Sequence, residues 1–268
     1  MPTPTTPAGM RLVSVVIVGT PGPAHSGIFL GIEQGMFAAR GLATRPRLVE
    51  SPVDAMSSVR SGRDDFAIVS AEELLRFSIV DRRLVSLMAV DPRGENGYAA
   101  VLVGRDADLA SQSAFVESFL GATIDGYREA RRDPDATAAS TARIDSSLDL
   151  ARLTADLRAL VPLWRSTDPP GLQAEARWTS VAARVGSAAS ASTYFANAPA
   201  LATMPTPSPA ARPTTRIAPP TAAPDRAPAA STTPSSSAIK PAATTAAPPS
   251  PTATRAPAVS ASPTATPR

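Results

Sequence analysis

Residues 11–42 read RLVSVVIVGTPGPAHSGIFLGIEQGMFAARGL: a strand, a polar Pro/Gly loop carrying the chain's single histidine, and then a helix. Val13, Val15, Val16, Ile17 and Val18 form a nearly continuous β-branched run, which suits a strand buried on both faces. Thr20-Pro21-Gly22-Pro23 must leave the strand, because proline removes backbone donors and glycine permits positive φ. Ile28, Ile32 and Met36 recur every four residues with Phe29 and Phe37 beside them, so a helix is expected to pack back on the strand. Gly41 stands where its C-terminal cap would fall. In an open α/β sheet, ligands bind outside the carboxyl ends of the strands. His25, Ser26 and Gly27 lie at such an end.

Composition divides the chain. Of 268 residues, 29 are proline and 43% are hydrophobic, but from Pro205 onward the text is almost wholly Pro, Ala, Thr and Ser with no aromatic residue. Such a segment cannot bury enough apolar surface to offset the entropy of ordering it. Disorder is therefore expected over 202–268, and a linker over 1–10, which leaves roughly 190 residues, enough for one domain with a real core. The formal charge of +3 also divides, since residues 205–268 hold six basic side chains against one acid. Those charges are sparse and carry no aromatics among them, so nucleic acid is not an expected partner. The absence of cysteine excludes disulfides, thiol chemistry and Cys-ligated metal. No apolar run approaches a membrane span. MPTPTTPAG lacks the basic and apolar regions of a signal peptide, and it reads as a linker downstream of a leader.

Further along, RPRLVE (45–50) reads as a second strand that Pro46 places at an edge. A helix is expected after Pro52, with Asp54 as its N-cap, Met56 and Val59 inward and Gly62 at its end. DFAIV (65–69) and LVSLMAV (84–90) read as buried strands flanking a helix over Glu72–Ile79, and YAAVLV (98–103) as another strand. This alternation implies parallel β-α-β pairing. A long amphipathic helix then begins near Ser111 or Ser113, and Asp133-Pro134 opens the next. Asp145 is expected to cap a helix bearing Leu148 to Val161, which Pro162 ends. A last helix is expected over Leu172–Val185.

Catalytic signatures are weak. One histidine without a nucleophile elbow makes no triad, Asp64-Asp65 and Glu72-Glu73 face different ways, and no cation-binding loop or dinucleotide fingerprint occurs. We expect no enzyme, no metal and no cofactor.

Three runs in order, PAHSGIFLGIEQGMFAARGL (23–42), SVRSGRDDFAIVSAEELL (58–75) and VSLMAV (85–90), resemble type-2 periplasmic substrate-binding proteins. FVESFLGATIDGYREARRDPDATAA (115–139), LRALVPLW (157–164) and the closing TYFANAPAL (193–201) extend the resemblance, which is nearest to the NMT1/THI5-like (SsuA/THI5-like) group. It implies an α/β fold, a periplasmic-binding-protein-II-like three-layer lobe with a parallel or mixed sheet and a helical C-terminal half, spanning 11–201. It also implies non-catalytic binding of a pyrimidine, sulfonate or nitrate-type ligand by a monomer. An ABC permease would be its partner and an extracytoplasmic compartment its location. Carried over, His25, Ser26, Gly27, Ser70, Ala71 and Glu72 would touch ligand, through hydroxyls, helix-terminal amides and the imidazole. Such receptors insert a whole second lobe after the strand matching 84–90, yet only 91–108 separates the halves here, so that lobe is expected to be reduced or absent. The alternative is a degenerate or truncated domain that serves as a surface interaction module without transport.

Overall fold

The computed structural model describes residues 9–94, 97–145 and 147–203. Of the expected linker over 1–10 and the expected disordered tail over 202–268, residues 1–8 and 204–268 lie outside the described residues. One five-stranded sheet occurs among the described residues, in the order β2-β1-β3-β5-β4. The strands are β1 (Arg11–Val18), β2 (Leu42–Val49), β3 (Phe66–Val69), β4 (Leu84–Asp91) and β5 (Ala100–Arg105). β1 pairs with β2 and β3 in parallel, as the alternation implied. β5 lies antiparallel between β3 and β4, which makes the sheet a mixed one, within the parallel or mixed sheet that the resemblance implied. The connection from Asp91 back to Ala100 is too short for a helical crossover, so the chain must turn and return.

Alternation along the strands builds two cores. Val13, Val15 and Ile17 face one side and Val16 the other; Phe66 and Ile68 oppose Ala67 and Val69 in the same way. On the first face pack α1 (Ser26–Glu33), α5 (Ser113–Ala130), α6 (Pro134–Ile144), α7 (Leu150–Trp164) and α9 (Ala198–Ala202). The second face carries α2 (Pro52–Arg60), α3 (Ala71–Ser78) and α8 (Glu175–Val185). This makes three layers.

β2 forms one edge, where Pro46 withholds a donor and Arg45 and Arg47 keep the rim charged, which blunts pairing with another chain. β4 forms the other edge, and returning chain seals it. Ala89 N–H donates to Gly171 O at 2.9 Å, Ser86 N–H to Tyr194 O at 2.9 Å, and Ala196 N–H to Ser86 O at 2.8 Å. Gln173 fixes the seam, its Oε1 accepting from Ser86 Oγ at 2.6 Å and Trp178 Nε1 at 3.2 Å.

Several sequence expectations shift. The first helix ends at Glu33, well before Gly41, which instead closes a 3-10 turn over Ala38–Arg40 with φ 72°. Ser51, not Asp54, caps α2, because Pro52 occupies the first helical position and the Asp54 amide reaches the Ser51 hydroxyl at 3.2 Å. Neither Ser111 nor Ser113 caps α5; a short α4 (Asp106–Ser111) runs into it at Gln112. Asp149, not Asp145, caps α7, accepting from the Ala151 and Arg152 amides. Pro162 lies inside α7 rather than ending it, since Leu160, Val161 and Trp164 are buried on both sides of it and packing outweighs the missing donor. The last long helix starts at Glu175, three residues later than its apolar pattern suggested.

Candidate functional site

Parallel pairing aims the carboxyl ends of β1, β2 and β3 at one edge of the sheet, and β4, antiparallel to β5, ends there too. This edge holds His25, Ser70 and Tyr98 on its loops and Asp91 at the end of β4.

His25 closes a 3-10 turn over Pro23–His25, and its Nδ1 accepts the Gly22 amide at 3.0 Å. An accepting Nδ1 places the proton of the neutral ring on Nε2. Among the described residues Nε2 has no protein partner, so a donor of defined tautomer stands at the rim. Burial pushes the His25 imidazole down to about 4, while the Asp91 carboxylate pulls the other way. That carboxylate is itself gripped by Arg93, whose Nε and Nη2 approach it at 3.0 and 2.6 Å. Because His25 titrates lower in the folded state than in the unfolded one, its contribution to stability is present above about pH 6.5 and is lost as pH falls towards 4. Wild type should therefore lose on the order of 2–3 kcal/mol relative to His25→Gln across that window, read from denaturant midpoints at each pH. Parallel pH profiles would sink this assignment.

Ser26 and Gly27 lie beneath the rim. Ser26 is fully buried, its Oγ donating to Gly22 O at 3.4 Å and accepting from Thr141 Oγ1 at 2.9 Å, and its amide is spent on Pro23 O. Gly27 faces the Tyr127 ring so closely that a Cβ there would fall 2.5 Å from Tyr127 Cγ. Tyr127 in turn donates to the Ala24 carbonyl and meets Trp164 edge-on at 5.0 Å between ring centroids.

Ser70, by contrast, is a helix cap. Its Oγ accepts the Glu73 amide at 3.1 Å while Glu73 Oε2 accepts the Ser70 amide at 2.9 Å, which completes a capping box. Ala71 is buried and its amide donates to Tyr98 O at 3.2 Å. Two of the helix-terminal amides expected to meet an anion, those of Ser26 and Ala71, are thus already engaged within the fold. Glu72 faces outward into a cavity of about 380 Å³, lined also by Ser70, Arg76, Gly97, Tyr98 and Arg184. The Arg76 guanidinium at 2.6 Å, with Arg184 further off, holds the Glu72 carboxyl below its usual range. A second cavity, of about 490 Å³, opens between the Thr20–Pro23 loop and the first turns of α7 near Asp149 and Arg152. The structure thus gathers Ser70 and Glu72 around one cavity. His25 lies on the neighbouring strand's loop.

Sequence reasoning missed the wall opposite Ser70. Arg177 of α8 donates to the carbonyls of Pro92, Gly94 and Gly97 and sits over the Tyr98 ring, 4.3 Å from its centroid. Tyr98 Oη accepts the Ala174 amide at 2.6 Å. Arg177 and Arg184 are seven residues apart, two helical turns on one face, and that spacing was the available signal. Its meaning depended on where α8 docks. Among the described residues no three His, Cys, Asp or Glu side chains gather into a metal-binding group, and no helix is long and apolar enough to cross a membrane.

No family description matches the chain, and no curated protein matches it. Solved structures do. The ligand-binding component of an ABC-type import system from Staphylococcus aureus, solved with zinc bound, aligns with a TM-score of 0.57 at 9% identity over 73% of this chain and 99% of that one. A protein of Bordetella bronchiseptica RB50 aligns at 0.53 and 9% identity, over 72% and 96% of the two chains. A Candida albicans gene product, described as founding a family with the generic periplasmic binding protein fold, aligns at 0.51 and 10% identity, over 72% and 94%. At such identities the likeness speaks to fold alone: this chain carries the periplasmic-binding-protein-like α/β fold, a mixed five-stranded sheet between helical layers.

Proposed function

We propose that the protein is a non-catalytic receptor for a small polar or anionic molecule, working outside the cytoplasm and delivering its ligand to an ABC permease. The observation that carries this reading is the cavity at the carboxyl end of β3, lined by Ser70, Glu72, Tyr98 and Arg184, on a sheet edge where this fold has room for a ligand. The import-system component from Staphylococcus aureus, which shares the fold, supports the transport role. The NMT1/THI5-like resemblance of the sequence supports a pyrimidine, sulfonate or nitrate-type ligand. In this reading His25, Ser70 and Glu72 meet the ligand, while Ser26, Gly27 and Ala71 form the footing beneath them. We also propose that a single lobe does the binding. β4 passes to β5 through residues 92–99, and a ligand on such an open edge is less enclosed than one in a two-lobed cleft. Weak, micromolar affinity is the expected consequence.

Thermal-shift and calorimetric screening against pyrimidines, alkanesulfonates, nitrate and aromatic acids is the test. Binding by one class at micromolar strength, weakened in His25→Ala, is expected. Ser70 should be probed as Ser70→Asn, which keeps a capping side chain, because Ser70→Ala would cost about 1 kcal/mol of helix stability whatever the ligand. Silence across the panel from a folded protein would overturn the receptor reading in favour of an interaction module.

A further inference from the structure

α3 runs from the cavity edge to the opposite end of the sheet, and the turn that carries it into β4 departs from ordinary turn chemistry. Ser78 is buried, but Ile79 and Val80 after it are 55% and 91% exposed, β-branched residues where Gly, Asn, Asp or Ser would be expected. The backbone of the turn is closed on itself. The Ile79 amide donates to Leu75 O, and those of Val80 and Asp81 to Phe77 O, each at 3.1 Å. The tip therefore presents apolar side chains without bare backbone donors, the condition for entering a medium poorer in water. Its charges suit an anionic surface. Asp81, the one carboxylate within the turn, has a side chain only 12% exposed, held by Arg60 Nη1 at 3.2 Å and Arg83 Nη2 at 2.6 Å. Arg82 and Arg83 are exposed, and so is Arg63 just beyond the end of α2. Asp106, whose amide donates to Arg83 O at 2.9 Å, is the other carboxylate there, so four arginines stand against two acids. The apolar surface continues between α2 and α3. The Arg60 guanidinium lies 5.8 Å from the centre of the Phe77 ring, and a cavity of about 330 Å³ opens there, lined by Pro52, Val53, Met56, Glu73, Arg76 and Phe77. Two protruding β-branched side chains bury too little area to hold a protein on lipid, and a few arginines are equally insufficient. Together they supply the two signals that reversible attachment takes.

We infer that the α3–β4 turn is a membrane-docking tip: Ile79 and Val80 enter the headgroup layer of an anionic bilayer while Arg82 and Arg83 meet its phosphates. A protein held there keeps the carboxyl edge of the sheet turned away from the lipid and open to solvent. Docking at this tip is independent of whether that edge takes a ligand.

Flotation of the full chain with vesicles tests this, using equimolar phosphatidylcholine and phosphatidylglycerol beside pure phosphatidylcholine at low ionic strength. Binding to the anionic vesicles should be stronger by about tenfold or more and should fall as salt rises. Residues 205–268 hold six basic side chains against one acid and add attraction of their own, so substitution isolates the tip. Val80→Ser should weaken binding about five- to tenfold through lost apolar burial. Arg82→Gln should weaken it about fivefold, the effect of one basic residue near an anionic surface. Both side chains are exposed, so melting temperatures should stay at the wild-type value. Val80→Trp should bind more tightly, and its emission should shift to the blue on anionic vesicles, which a distant basic segment could not produce. Trp164 and Trp178, both buried, give a constant background. Vesicle binding that ignores both weakening substitutions, equal binding to the two lipid compositions, or no binding at all overturns the inference. So does self-association of the wild type that Val80→Ser abolishes, which would make the tip a contact between copies of this chain.

Discussion

Gly126→Ala is expected to lower stability by on the order of 3 kcal/mol or more, and to leave little folded protein if the domain is marginal. Gly126 sits on α5 where that helix crosses α1, with no room for a side chain. A Cβ there would collide with the Gly27 carbonyl, 3.0 Å from its carbon, and would lie 3.4 Å from the Gly31 nitrogen. These are backbone atoms, which cannot swing aside, so the helices must separate and Ile28, Phe29, Phe119 and Ile124 lose their packing. The gain in helix propensity from removing glycine, about 1 kcal/mol, is too small to compensate. Gly121→Ala on the same helix is the control. Its Cβ would meet the guanidinium of Arg40 at 3.2 Å, a flexible group that can move, so this change should be near neutral. Urea midpoints for the two variants decide the matter, and equal losses would refute the crossing argument.

The second large effect is expected at Trp164. This side chain is 1% exposed, donates from Nε1 to the Val90 carbonyl at 2.8 Å and packs against Tyr127. Trp164→Ala should cost about 4 kcal/mol through lost burial, the cavity left behind and a β4 carbonyl deprived of its donor. Trp164→Phe retains most of the ring volume but not the N–H, so about 1–3 kcal/mol is expected. Leu163→Ala, one residue away and 37% exposed, should cost well under 1 kcal/mol. The same tryptophan anchors α7 beside the rim, so Trp164→Ala should also loosen the His25 turn. Faster amide exchange at Gly22, whose N–H is held by His25, would report it.

Much of the candidate site was legible one residue at a time and wrongly weighted as a set. The sequence placed His25 and Ser70 at strand ends, and both are there. It could not tell that Ser70 spends its hydroxyl on its own helix, although Ser70-x-x-Glu73 is a capping box in plain text. Nor could it tell that Gly27 is glycine because of Tyr127, a hundred residues away in sequence. Arg177 and Arg184 offered only their seven-residue spacing, and an arginine late in an amphipathic helix reads by itself as dipole complementation and solubility.

Local chemistry determined the elements: the β-branched runs made β1, β3, β4 and β5, Asp-Pro opened α6, and the 3.6-residue rows made α5 and α7. Those features act over a few residues and need no partner. Tertiary structure alone decided that β5 runs antiparallel between β3 and β4, that Pro162 stays helical, and that α8 faces the cavity with Arg184. Each of those outcomes depends on which surfaces are buried together, a free-energy balance summed over residues far apart in the chain, and no window of sequence contains it.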